Sequence, residues 1–370
     1  MTRESVDVLI VGAGPAGMST ALHLAHADAA WADRVVVLER AVHPRDKLCG
    51  GGISGGGDRV LAVLGLTYPC PQVAIRAAEF RYAGRTCTLR GDPALRIVRR
   101  AEFDHWLVRS GEARGLRIRQ GETVRAVNPD DTGVDVDTDR GAYRARVVVG
   151  ADGSGGVVRR ALGSATHPTT ARTLDVLTPE PPDTPAFRDG VAVFDFTAVA
   201  RGLQGYYWEF PSLIDGAPVM NRGVFDSRAQ PRRSPAALGD ILAQSMGVGG
   251  QSEPTVRSFP IHWLQHRARI ARPRLLLAGD AAGVDALLGE GIAFALAYGD
   301  VAAGAIVDAF ARDDFTFRDY GRRVRRHPLL ATLTTRNRLA RLLYAAGRPW
   351  QQHALWTAFS LIVRLRRALV

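Results

Sequence analysis

Two kinds of hydrophobic pattern divide this chain. Four segments are continuous apolar runs that end in glycine or an acid: DVLIVG at 7–12, RVVVLE at 34–39, RVVVGADG at 146–153 and RLLLAGD at 274–280. Runs of this kind suit parallel strands buried on both faces. A helical pattern over 16–27 follows the first run. A glycine-rich turn and a long apolar helix across 279–306 follow the last. Elsewhere, short strands recur at hairpin spacing: AEFRYAG and RTCTLRG within 71–98, then VAVFDFTAVA, GYYWEFPS, APVMNRGVFD and VRSFPIHWL within 165–265. Those read as a mostly antiparallel sheet, with the proline-rich stretch 167–184 as loops. The pattern predicts an α/β protein. A discontinuous Rossmann-like nucleotide-binding domain (1–70, 99–164 and 266–310) interleaves with a mostly antiparallel β-sheet substrate domain (71–98 and 165–265). A helical, basic C-terminal region (311–370) follows.

The turn after the first run carries chemistry. Gly12, Gly14 and Gly17 stand at G-x-G-x-x-G spacing between a strand and a helix. Gly12 permits the tight turn and Gly14 lets a pyrophosphate approach the backbone. Gly17 allows close helix–strand packing, and the helix N-terminus supplies N–H groups and a positive dipole end. The next strand ends in Glu39, which can accept from both hydroxyls of an adenosine ribose. Together these point to a bound dinucleotide. The same glycine spacing recurs at 50–55, but the charged PRDKLC precedes it and GGDRVL opens no clear helix. It is therefore not expected to be a second nucleotide turn.

Composition narrows the picture. Of 48 basic side chains one is a lysine, Lys47, two residues before Cys49 and next to three glycines. It is either a leftover surface residue or part of a site. The three cysteines lack metal spacing, which fits a reducing cytoplasm without disulfides and no bound metal. No signal peptide or spanning run of apolar residues is read, so a cytoplasmic location is expected. The net charge of +11 lies wholly beyond residue 319, where eleven arginines meet no acid.

With these motifs in place, the sequence resembles the geranylgeranyl reductase family of FAD-dependent oxidoreductases, within the flavoprotein hydroxylase group and its glutathione-reductase-type FAD fold. The resemblance rests on the glycine turn with its ribose glutamate, on PRDKLCGGGIS (44–54), RAEFDHWL (100–107), the A-D-G turn at 151–153, GYYWEFP (205–211), GDAAG (279–283) and GEGI (289–292). It implies FAD, with the 44–54 loop lying along the flavin. Carried over by position, FAD contacts fall on Ala16, Glu39, Cys49, Gly50, Arg100, Val124, Asp280, Gly291 and Ile292. Gly12, Gly14, Gly17, Arg45, Lys47, Gly51, Asp152 and Gly279 complete the expected cofactor site. Arg100 is either a cation for the cofactor phosphates or an exposed residue at a helix start. One departure stands out. Five residues, 284–288, separate the last two motifs where the family has six, and Ala286 replaces its proline; this bears on substrate geometry more than on FAD binding.

On the substrate side, Tyr206, Trp208 and Phe210 alternate and so share one face of a strand. They are either ordinary sheet core or an aromatic wall above the flavin, and Asn221 corresponds to the family's N-x-G step beside them. The expected reaction is hydride transfer from reduced FAD to a carbon–carbon double bond of an isoprenoid or other apolar polyene, with the protein positioning the alkene. Cys49 is a candidate proton donor or a small thiol packed on the ring. His262 either faces the site or is structural. NAD(P)H or another reductant would deliver electrons transiently. The alternative is an FAD monooxygenase or halogenase acting on an aromatic metabolite, although no W-x-W-x-I-P halogenase motif occurs; a non-catalytic binding protein is a further possibility. The arginine-rich tail fits docking to an anionic membrane surface by a lipid-metabolising enzyme, or a helical cap on the FAD domain; nucleic acid fits the charge and nothing else.

Overall fold

The computed structural model describes residues 3–69, 71–163, 170–247, 257–265, 268–345 and 350–358. Cys70, the start of the proline-rich stretch and the end of the arginine-rich tail lie outside them.

The continuous apolar runs form a parallel sheet. Strands Leu275–Leu277, Ala142–Gly150, Glu4–Val11, Val35–Glu39 and Arg117–Gln120 lie side by side in that order. Val8, Leu9, Ile10, Val35, Val36, Val37, Leu276 and Leu277 are buried, as the absence of alternation required. From Glu4–Val11 the chain reaches Val35–Glu39 on one side and Ala142–Gly150 on the other. That reversal opens a crevice at the carboxyl ends, where ligands bind in open α/β sheets. Gly12, Glu39, Asp152 and Gly279 all stand at this edge.

Helix Pro15–Ala27 lies against the long helix Ile292–Arg312. The contact is close: Ser19 Oγ donates to the Leu296 carbonyl at 2.7 Å. By length and composition alone Ile292–Arg312 could cross a membrane, although the sequence offers no uninterrupted apolar run; 78% of its most apolar window is buried inside the protein. Here it serves as a core helix.

The hairpin-spaced strands build a second sheet. Its order is Arg257–His262, Thr170–Pro179, Ala217–Asp226, Gly205–Ile214, Val191–Asp195, Gln72–Tyr82, Arg85–Val98 and Gly52–Ser54. All neighbours are antiparallel except Val191–Asp195 with Gln72–Tyr82. Gly52–Ser54 belongs to the second glycine-rich segment, and a helix, Gly55–Val63, does follow it. That corrects the reading of GGDRVL as non-helical. The segment is still no Rossmann turn, because its strand pairs antiparallel with Leu95–Ile97 at the edge of the other sheet.

The C-terminal region is helical where described. Helix Tyr320–Arg326 packs on Ile292–Arg312, with Arg323 bridging Asp308 and Asp319 and Tyr320 Oη donating to the Leu277 carbonyl. The next helix, Ala331–Ala345, turns Ala340 and Tyr344 into the core of the second sheet. Beyond it Trp356 stacks on Tyr82, 5.1 Å between ring centroids. The region therefore caps the second sheet as well as the nucleotide-binding half.

Candidate FAD and substrate site

One cavity of about 1170 Å³ runs from the carboxyl edge of the parallel sheet to the inner face of the second sheet. At its first end lies the glycine turn. Gly12 has φ +106°, and a Cβ there would stand 2.4 Å from the Ala151 carbonyl oxygen. No other residue fits that turn. Gly17 does not line the cavity; a Cβ on it would meet the Gly12 carbonyl at 1.8 Å, so its role is packing behind the turn. Glu39 is buried at the cavity wall and accepts from Ala13 N at 2.8 Å and Ala41 N at 3.0 Å. Its carboxylate thus pins the turn and keeps lone pairs for a ligand's hydroxyls.

Next comes a group of cations. Arg100 Nε and Nη2 clamp Asp104 at 2.8 and 2.7 Å, and Arg45 Nη2 reaches the same carboxylate at 3.2 Å. Asp104, fully buried, stands behind the wall and fixes both guanidiniums, which line the cavity. Burial opposes the Arg100 charge, yet Asp104 more than compensates and raises its pKa. Arg100 is thus a held cation, not an exposed helix-start residue. Sequence reading passed over Asp104; its place four residues after Arg100 on helix Arg100–Glu112 was the available signal.

Lys47 also faces the cavity, its ammonium over the Phe259 ring. Burial pushes its pKa down to about 8, against the pull of Asp280. Asp152 sits across the turn. Its Oδ2 accepts from Val158 N at 3.0 Å, while its Oδ1 is buried with no hydrogen-bond partner in the protein. Burial raises this carboxyl to about 6.

The 49–54 loop forms the middle wall. Gly51 has φ +78°, and a Cβ there would stand 2.1 Å from the Val98 carbonyl oxygen. Cys49 lines the cavity, and its Sγ accepts from Gly51 N at 3.3 Å. Gly50 faces the Phe210 ring, and a Cβ added to it would stand 3.0 Å from the ring edge. Opposite stand Gly279, Asp280, Gly291 and Ile292, the last two at the start of the long helix. Ala16, Gly14 and Val124 complete the first end.

The far end is aromatic. Tyr206, Trp208 and Phe210 share a face, pack with Phe80 and Phe194, and line the cavity; Tyr207 faces the opposite side of the sheet. Their polar atoms are engaged within the protein: Tyr206 Oη donates to the Leu288 carbonyl and Trp208 Nε1 to Asn221 Oδ1 at 2.7 Å. Asn221 was expected to meet the substrate. Instead it is buried off the cavity, and its Nδ2 donates to the Cys49 carbonyl at 3.1 Å. It is a positioning residue for the loop. His262 is likewise absent from the cavity; its Nε2 meets Arg159 Nη2 at 2.7 Å, so it is structural.

The shortened 284–288 segment is held from outside. Asn337 Oδ1 accepts from Ala286 N at 2.8 Å, and Arg336 Nη1 reaches Asp285 at 2.9 Å and Glu290 at 2.8 Å. No local pattern announces this clamp, because both residues sit in the arginine-rich tail.

These residues suit FAD. The glycine turn and helix N-terminus face where a pyrophosphate would lie, Glu39 retains acceptor capacity for a ribose, and the orphaned Asp152 Oδ1 calls for a donor. The 49–51 backbone and the Gly291–Ile292 helix start flank space for a flat ring.

The comparisons with known proteins agree. A family model described as "FAD binding domain" matches residues 5–288. The menaquinone reductase of Mycobacterium tuberculosis is 30% identical over 323 residues, 81% of this chain and 76% of that protein. Digeranylgeranylglycerophospholipid reductase 2 of Methanopyrus kandleri is 26% identical, over 83% of this chain and 78% of that one. Among solved structures, a geranylgeranyl bacteriochlorophyll reductase-like protein of Thermoplasma acidophilum superposes with a TM-score of 0.76 at 19% identity, covering 93% and 88% of the two chains.

Two outcomes follow for the cation group. Asp104→Ala leaves two buried guanidiniums without their shared counter-charge, so a loss of about 3–5 kcal/mol is expected in denaturant unfolding. Lys47 is a base with a depressed folded pKa. Its contribution to stability is present above the unfolded value of 10.5 and is lost as pH falls through about 8. Lys47→Met should therefore stabilise the apoprotein more at pH values below 8 than above 10, and weaken FAD binding about tenfold in a fluorescence titration.

Proposed function

We propose, from the premise that this chain belongs to the FAD-binding domain family, that this FAD-dependent oxidoreductase reduces a carbon–carbon double bond in an isoprenoid chain. The observation that carries the reading is the far end of the cavity. Its rings offer faces and edges, while the Tyr206 hydroxyl and the Trp208 N–H are already bonded inside the protein. A polyene needs apolar wall and nothing more. A phenolate or carbonyl-bearing aromatic substrate would ask for a donor that these side chains no longer have. The relatives named as reductases of menaquinone and of a digeranylgeranyl lipid support the same class.

Bound FAD, once reduced, supplies the hydride. The protein's part is positional. Asn221 and the Gly51 turn fix the loop that carries Cys49. Asp104 aims Arg45 and Arg100 at the cofactor end. Tyr206, Trp208 and Phe210 hold the chain against the ring's place and exclude water. If the bond gains cationic character as it is reduced, their faces stabilise it. Cys49 Sγ, on the wall between the two ends, gives the proton.

The test is anaerobic. The flavin is reduced chemically and then mixed with a geranylgeranyl lipid or menaquinone, and flavin absorbance and product mass are followed. Reoxidation by the lipid, with a product heavier by two hydrogens, is the expected result. Reoxidation by oxygen alone, with an aromatic compound speeding flavin reduction, would move the enzyme to the monooxygenase class. Cys49→Ala should slow the lipid-dependent step by about a hundredfold or more with flavin still bound.

A further inference from the structure

Helix Ala331–Ala345 has two faces. Leu333, Asn337, Ala340 and Tyr344 recur at helical spacing and are buried. The opposite face carries Leu339, 48% exposed, and Leu342, 65% exposed, with Arg338 exposed beside them. Shortly after, Trp350 is 64% exposed and Leu355 38%. Among the described residues the other exposed large hydrophobics are Val42 and Val63. Four exposed leucine and tryptophan side chains within 339–355 are more apolar exposure than one stretch of surface ordinarily carries.

Its charge tells what covers it. The whole segment from Tyr320 to the end contains eleven arginines and no acidic residue. Arg325, Arg326 and Arg338 are exposed and make no ion pair among the described residues. A protein partner would match the leucines with a groove and the arginines with discrete carboxylates. A sheet of anionic headgroups over acyl chains matches both at once, because each basic residue near it adds attraction and each apolar side chain inserts. A nucleic acid would satisfy the arginines and leave Leu342 and Trp350 without partners.

We infer that the exposed face of Ala331–Ala345, with Trp350 and Leu355, is a docking surface for an anionic lipid bilayer. The place is apt. Arg336, on the flank of the same helix, lines the cavity and holds the 284–290 loop through Asp285 and Glu290. The helix that carries the docking face therefore also borders the cavity. The docking itself does not depend on the substrate reading, because it is measured without substrate.

The experiment is co-sedimentation of the FAD-loaded full chain with phosphatidylcholine vesicles, with and without phosphatidylglycerol. The protein should pellet with the anionic vesicles and remain in solution with phosphatidylcholine alone. Leu339→Ser combined with Leu342→Ser should lower vesicle affinity by about tenfold or more, with an unchanged flavin spectrum reporting an intact fold. Arg338→Glu, which alters no buried residue, should weaken binding as well and make it less sensitive to salt. Equal binding to both vesicle types, no pelleting, undiminished binding by both variants, or full displacement by duplex DNA would each overturn the assignment.

Discussion

The middle wall of the cavity turns on one polar tie between a strand of the second sheet and the loop that carries Cys49. Asn221 sits on a strand of the second sheet, and its side chain reaches the Cys49 carbonyl on one side and the Trp208 indole on the other. The loop it grips leaves the parallel sheet's side, passes the cavity, and enters the second sheet at Gly52–Ser54. Without that tie the wall between cofactor end and aromatic end would rest on backbone alone, the Val98 N–H donating to the Gly51 carbonyl and the pairing of Gly52–Ser54. A buried side-chain amide with its partners satisfied on both sides fixes a unique arrangement, where apolar packing alone would tolerate slippage. The loop it holds is one wall of the cavity.

The polar end of that cavity is arranged at a cost to the empty protein. Lys47 is buried enough to lose much of its basicity, and Asp152 is buried enough to resist ionisation, with one oxygen unpartnered. Neither arrangement favours folding by itself. Both become favourable when a dianionic cofactor with many hydroxyls fills the space, since binding then supplies the missing partners and couples cofactor retention to stability. Arg45 and Arg100 differ. Their shared Asp104 satisfies them before any ligand arrives, so they are preorganised rather than poised. The site thus combines rigid cations with groups that wait for a ligand.

Much of this was legible in local patterns. The continuous apolar runs, the Gly12–Gly17 turn and Glu39 depend on neighbours in the chain, so their spacing revealed the parallel sheet and the cofactor edge. Tyr206, Trp208 and Phe210 were legible for the same reason, since alternation alone puts them on one face. Other features depend on contacts distant in sequence and had no local mark. Asn221 faces Cys49 across 172 positions, and Asn337 reaches Ala286 across 51. A polar residue on a strand next to an aromatic wall looks like a substrate contact until the fold shows what lies opposite it. His262 shows the same limit: its partner, Arg159, comes from a helix 103 positions earlier. Helix Gly55–Val63 was hidden by its composition, because three glycines at its start mask a helical pattern that packing against Ile292–Arg312 sustains.

The C-terminal helix joins the two ends of this reasoning. On its inner side Asn337 and Arg336 hold the 284–290 loop, whose Leu288 carbonyl accepts from the Tyr206 hydroxyl. That loop faces the same space as the aromatic wall, so its position sets the room left at that end of the cavity. On its outer side the same helix presents leucines and arginines that no described residue covers. The helix is tied to the loop directly, through the ion pairs of Arg336 with Asp285 and Glu290. The proposed bilayer surface and the anchor of the loop therefore share one element. If the substrate is a lipid, as proposed, the surface proposed to meet the bilayer also supports the wall against which that substrate would lie.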